Sequence, residues 1–220
     1  MSDEILSEIL RNANRDNLFR QIIVRARSKG TLVQVFANAH DMESAYEGYV
    51  LDLGDDAFQL QEVDEEGQFD GIITMSFREV TEIREHSRLL CRLQVLREAD
   101  ADVDDEIEPG DEGEEYTGGD LILGRLQMAV AHETLINVRV SSSTDYRFVA
   151  GYVRSIDRDF VQFNALTESG NPDGVATVRL RDISAVFEDD WQIRRALKLY
   201  ERRRDLYGPA EFDAYQAPGE

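Results

Sequence analysis

Three histidines, one cysteine and many carboxylates are the groups in this chain with chemical potential, and their spacing argues against most of it. His40, His86 and His132 lie far apart, and none has a His or Cys at ligand spacing, so no metal site is expected. Cys91 is single, which excludes an intrachain disulfide and fits a reducing compartment. Gly118-Gly119 and the Gly170–Gly174 stretch lack the Lys and Ser/Thr of a phosphate loop. Asp100, Asp102 and Asp104 imitate the start of a calcium loop. The sixth position is Asp105 where glycine is needed, and the twelfth is Asp111 instead of Glu. Asp70-Gly71 and Asp173-Gly174 read as turns that use glycine at positive φ. No catalytic set and no cofactor site emerge, so the chain is expected not to be an enzyme.

The polar residues that do form a pattern form it twice. Gln59 and Arg78 recur as Gln162 and Arg181, inside a stretch, Gly48–Ile83, that matches Gly151–Val186 without a gap at a shift of 103 positions. Tyr49, Asp56, Gly67, Asp70, Gly71 and Thr74 have identical partners in Tyr152, Asp159, Gly170, Asp173, Gly174 and Thr177. The match extends upstream, from Thr31–Phe36 to Thr134–Arg139. A further cluster, Arg194, Arg195, Lys198 and Arg202, lies near the end of the chain with Arg203 and Arg204 beside it. It is expected either to be the solvated side of a helix packed on its own domain, or to dock RNA, a protein or the chain's own acidic segment.

Short strands must position these residues. Thr31–Phe36, Tyr46–Leu53, Ala57–Val63, Gly71–Phe77 and Val80–Arg84 are β-rich segments separated by Gly/Asp turns. The second copy places strands at 134–140, 147–156, 160–166, 174–180 and 183–187. Helices are expected over 2–28, His86–Glu98, Asp120–His132 and Asp190–Asp205. In the last of these, Trp191, Ile193, Leu197 and Tyr200 form the apolar side. The fold class is therefore mainly β with flanking helices: two tandem five-stranded barrels of Sm-like or SH3-like type, each with a helix before and after it. Residues 1–97 form the first helix-plus-barrel unit and 120–207 the second. Between them, residues 98–119 hold 11 acids and no Lys or Arg, with Gly and Pro interspersed, and are expected to be a disordered linker. Residues 208–220 are expected to be a flexible tail.

The order of one helix and five short strands, with an Arg before the last strand, resembles the Sm-like family. Its second-strand Gly and following turn, Asp-x-x-hydrophobic-Asn, match Gly48 and Asp55-Asp56-Ala57-Phe58-Gln59. Its closing hydrophobic-Arg-Gly-x-x-hydrophobic pattern matches Phe77-Arg78-Glu79-Val80-Thr81-Glu82-Ile83 and Leu180-Arg181-Asp182-Ile183-Ser184-Ala185-Val186. The resemblance implies that Gln59, Arg78, Gln162 and Arg181 sit where ring-forming relatives cradle RNA bases. The departures weaken that implication. The family Asn is Gln in both copies, the turn Asp is Arg158 in the second copy, and Glu79 and Asp182 replace the Gly after each Arg. A carboxylate there pairs with the arginine and repels phosphate.

The formal charge of −21 falls to −10 without residues 98–119, which still disfavours a phosphate backbone. No apolar run approaches a membrane span, and the acidic start is unlike a secretory signal. The expected protein is cytoplasmic and works as a non-enzymatic protein-interaction or scaffold module, through a protein partner or self-association. RNA binding of Sm type is the alternative; neither DNA nor a membrane is an expected partner.

Overall fold

The structure, a computed structural model, describes residues 18–37, 45–100, 120–142 and 145–207. The expected helix before Leu18, most of the acidic linker and the tail after Tyr207 lie outside these residues. The chain divides into two compact units, Met1–Leu121 and Ile122–Glu220. Both are mainly β with flanking helices. No helix among the described residues is long and apolar enough to cross a membrane.

The first unit runs α1 (Leu18–Lys29), β1 (Leu32–Ala37), β2 (Ala45–Leu53), β3 (Ala57–Val63), β4 (Phe69–Ser76), β5 (Val80–Arg84) and α2 (Arg88–Asp100). The second runs α3 (Leu121–His132), β6 (Leu135–Ser141), β7 (Tyr146–Ile156), β8 (Phe160–Leu166), β9 (Pro172–Arg179), β10 (Ile183–Glu188) and α4 (Trp191–Tyr207). Within the first unit the antiparallel strands are ordered β5-β1-β2-β3-β4, and within the second β10-β6-β7-β8-β9. Each unit thus has the five strands expected of it. The last strand of each unit pairs with the first, at Val35–Ile83 and Val138–Val186. A single 3-10 turn, Phe77–Glu79 or Leu180–Asp182, carries the chain from one end of the row to the other.

Local chemistry explains the element ends. Helix α1 stops where Gly30 adopts φ 58° and Thr31 N–H returns to Ala26 O at 3.1 Å. At the equivalent place after α3, Glu133 adopts φ 52° and Thr134 N–H bonds Ala129 O at 3.1 Å. This is the left-handed helix stop that glycine favours, here also made by a glutamate. The closing helices start later than the sequence suggests, because His86 and Asp189 take positive φ. Ser87 Oγ then accepts from Leu90 N–H at 3.2 Å, and Asp190 Oδ1 from Ile193 N–H at 2.7 Å, capping α2 and α4.

Gly71 and Gly174 do have positive φ, as expected, but they lie inside β4 and β9 and not in turns. The register slips there, between the Gln61–Ile72 and Val63–Phe69 pairs and between Asn164–Val175 and Leu166–Pro172. The strands therefore begin at Phe69 and Pro172, ahead of their expected starts, with a bulge near each glycine.

Each unit has a core formed by the inward side chains of its sheet. In the first, Val33, Val35, Phe58, Leu60, Ile73 and Met75 are buried; in the second, Ile136, Val138, Val161, Phe163 and Val186 are. Leu90 and Leu93 of α2 add a cluster with Leu32 and Val63, flanked by Tyr49 and Phe69. Arg97 closes this cluster. Its guanidinium lies 3.6 Å from the Phe69 ring centre and donates to Gly67 O at 3.1 Å. Arginines also tie the leading helices down. Arg20 Nη1 donates to Gly54 O at 2.6 Å in the β2–β3 turn, and Arg125 makes a bidentate pair with Glu188 at 2.7 and 2.8 Å.

Candidate functional site

The four residues implied by the Sm-like resemblance are placed on different structural parts. Gln59 is in the middle of β3 and buried, and its Nε2 donates to Thr74 Oγ1 of β4 at 3.0 Å. Its amide is thus committed to the sheet. Gln162, its counterpart in β8, is partly exposed; it accepts from Ser155 Oγ at 3.3 Å and lies 3.5 Å from Thr177 Oγ1. Arg78 and Arg181 are exposed in the two 3-10 turns. Each faces the carboxylate beside it, Arg78 Nε 3.5 Å from Glu79 and Arg181 Nε 3.6 Å from Asp182. Exposed pairs of this kind add little stability, but they reduce the positive field that a phosphate would meet.

The basic cluster lies on α4. Arg194, Arg195, Lys198 and Arg202 are exposed, while Ile193, Ala196 and Tyr200 face inward. Arg194 is engaged by Asp189, through its carbonyl and its carboxylate. Arg195 stacks over Trp191, 6.0 Å from the ring centre. Trp191 is 52% exposed, which corrects its assignment to the apolar side of the helix.

Beneath Trp191 lies a feature that the sequence reading missed: a pocket of about 100 Å³ between the first turns of α4 and the sheet. Leu135, Ala150, Ile193 and Ala196 form its apolar walls, and the exposed Trp191, Arg195 and Glu168 its mouth. Asn137 of β6 also lines it. That residue is only 7% exposed, and its Oδ1 is buried with no hydrogen-bond partner. A buried polar atom without a partner is uncommon and costly.

The matching place in the first unit is filled. Asn137 stands opposite Ala150 across β6–β7, and at a shift of 103 the same cross-strand pair is Gln34 and Glu47. There Gln34 Nε2 donates to Glu47 Oε1 at 2.7 Å. Both partners are shorter in the second unit. On the helix, Leu89 and Leu93 are replaced by Gln192 and Ala196. Four substitutions thus convert a packed amide–carboxylate pair into a lined space.

Compared with known proteins, the chain matches no family model, no curated protein and no solved structure. Its candidate sites therefore rest on their own geometry.

Burial raises the Glu47 carboxyl above its ordinary 4.5, and the hydrogen bond from Gln34 offsets part of that rise. The folded state therefore holds this proton more tightly than the unfolded chain does. The resulting stability is fully present below the unfolded pKa and is lost as pH rises through the folded one. Asp56 is shifted the same way, again by burial first. Glu47→Gln keeps an oxygen for Gln34 and removes the titration. Urea unfolding should show the variant gaining on the parent chain as pH rises above about 4.5, with a flat difference once Glu47 is ionised in both states. A constant difference across that window would contradict the assignment to Glu47.

Proposed function

We propose that the two units are a duplicated pair of Sm-like modules and that they bind protein, not RNA, by accepting a β-strand at an open sheet edge. The observation that carries this reading is the state of β9. Among the described residues it pairs with β8 alone, and Asp173, Val175, Thr177 and Arg179 along it are exposed, Val175 by 46%. A strand end with unpaired backbone groups and an exposed apolar side chain is a template for another strand. β5, at the end of the first unit's row, pairs only with β1 among the described residues and offers a second edge. The carboxylates beside Arg78 and Arg181, and the burial of Gln59, favour this reading over base binding at those positions.

A lysine in the edge strand should block strand addition without touching the core. Sedimentation velocity is expected to show concentration-dependent assembly of the parent chain, or its assembly with a protein partner, and loss of that assembly in Val175→Lys. The RNA reading, through the exposed Lys198 and Arg202 of α4, predicts salt-sensitive retention of single-stranded RNA instead. RNA retention at low salt without protein assembly would overturn the proposal.

A further inference from the structure

We infer that the pocket under Trp191 binds a primary carboxamide, the head of a glutamine side chain presented by a partner protein; the protein source of that side chain rests on the function proposed above. The first unit indicates what the pocket lacks. There the Glu47 side chain crosses from β2 and meets the Gln34 amide. Glutamine has the same shape as that glutamate. In the second unit the facing residue is Ala150, so a side chain that reaches Asn137 must come from outside the sheet.

The chemistry of the floor selects the head group. Asn137 Oδ1 lacks a donor and is out of solvent contact as it lies, so the amide must turn toward the pocket for an incoming donor to satisfy it. A carboxamide donates N–H to Oδ1 and accepts from Nδ2 with its own oxygen. This pair is satisfied whichever way the Asn137 amide is turned. A carboxylate can accept but not donate, and it must lose its hydration beside Glu168. An aliphatic head leaves Oδ1 unpaired. The walls suit the stem: Leu135, Ala150, Ile193 and Ala196 are apolar, and Trp191 overhangs them. At about 100 Å³ the space exceeds what a single water needs and falls short of a drug-sized ligand site. Arg195 and Glu168 at the mouth have opposite charges, so neither sign of ion is favoured there.

The test uses the full chain, labelled with ¹⁵N, and three probes: the N-acetyl, N-methylamide forms of glutamine, glutamate and leucine. Titration with the glutamine compound is expected to shift the Asn137 side-chain amide and the Trp191 indole signals. The glutamate and leucine compounds should bind roughly tenfold more weakly, the loss of one satisfied hydrogen bond. Ala150→Glu rebuilds the pair of the first unit and should abolish the shifts while the rest of the spectrum stays dispersed. Ala150→Val, which fills the space without a polar head, should do the same. Equal binding of the leucine compound, absence of shifts with all three, or unchanged binding in both variants would each overturn the proposal. If the glutamine compound binds but the chain assembles with no protein, the carboxamide site stands and the interaction function falls. If assembly occurs and no probe binds, the reverse holds.

Discussion

Gly170→Ala is expected to destabilise the protein by about 4 kcal/mol, from two separate causes. Gly170 has φ +70°, where a side chain strains its own backbone. An added Cβ would also lie 2.5 Å from Ala196 O and 2.6 Å from Tyr200 N, both in the backbone of α4. The hairpin tip Thr167–Asn171 is held by its own bonds, Gly170 N–H to Thr167 O at 2.8 Å and Thr167 N–H to Asn171 O at 2.9 Å. Neither the tip nor the helix can give way cheaply. Gly174→Ala separates the two causes. It has φ +73° but nothing within 4 Å of the added atom, so it should cost only about 1–2 kcal/mol. Urea unfolding of the two variants side by side tests this. Equal losses would mean that the contact with α4 is not tight.

Gly48→Ala and Gly151→Ala should each cost about 3 kcal/mol, for steric reasons alone. Neither residue has positive φ. Each sits in the strand at the centre of its row, where a Cβ would press on the backbone of the next strand: on Gln61 O for Gly48, and on Asn164 O, at 2.5 Å, for Gly151. A few residues on, each strand has a slipped register, between Val50 and Asp52 in β2 and between Val153 and Ser155 in β7. The sheet approaches itself too closely here for any side chain. Because the two glycines are equivalent, the losses should agree within the scatter of the measurement. Thermal or urea unfolding showing a neutral result at either position would contradict the close approach.

Most of this scaffold was legible from the residues. β-rich segments between Gly/Asp turns located the first five strands, and the repeat at a shift of 103 carried them onto the second five. Failures came where a position depends on a partner in another strand. Gln59 holds the polar place in the alternation of Phe58 and Leu60, yet all three are buried, and the Gln59 amide is satisfied by Thr74 on the neighbouring strand. Sm-like and SH3-like arrangements share one strand pattern, so the pattern could not separate them. The Trp191 pocket was invisible for the same reason. Asn137 and Ala150 are unremarkable until the register sets them opposite one another. Comparing that pair with Gln34 and Glu47, once the hairpin was paired, is the signal that could have found it. The Arg78 and Arg181 ion pairs, by contrast, follow from adjacency in sequence.

The pairing of β1 with β5 also sets where the chain can be cut. Gln34 meets Arg84 at one end of that contact, and the three strands between them are built from neighbouring hairpins. A fragment ending before Val80 keeps β1 through β4 but strips β1 of one of its two neighbours, exposing a row of backbone groups and Val33 and Val35 beside it. Nascent chain meets the same condition during synthesis. The first unit has no complete sheet until β5 has left the ribosome, and the same problem arises again with β10 in the second copy.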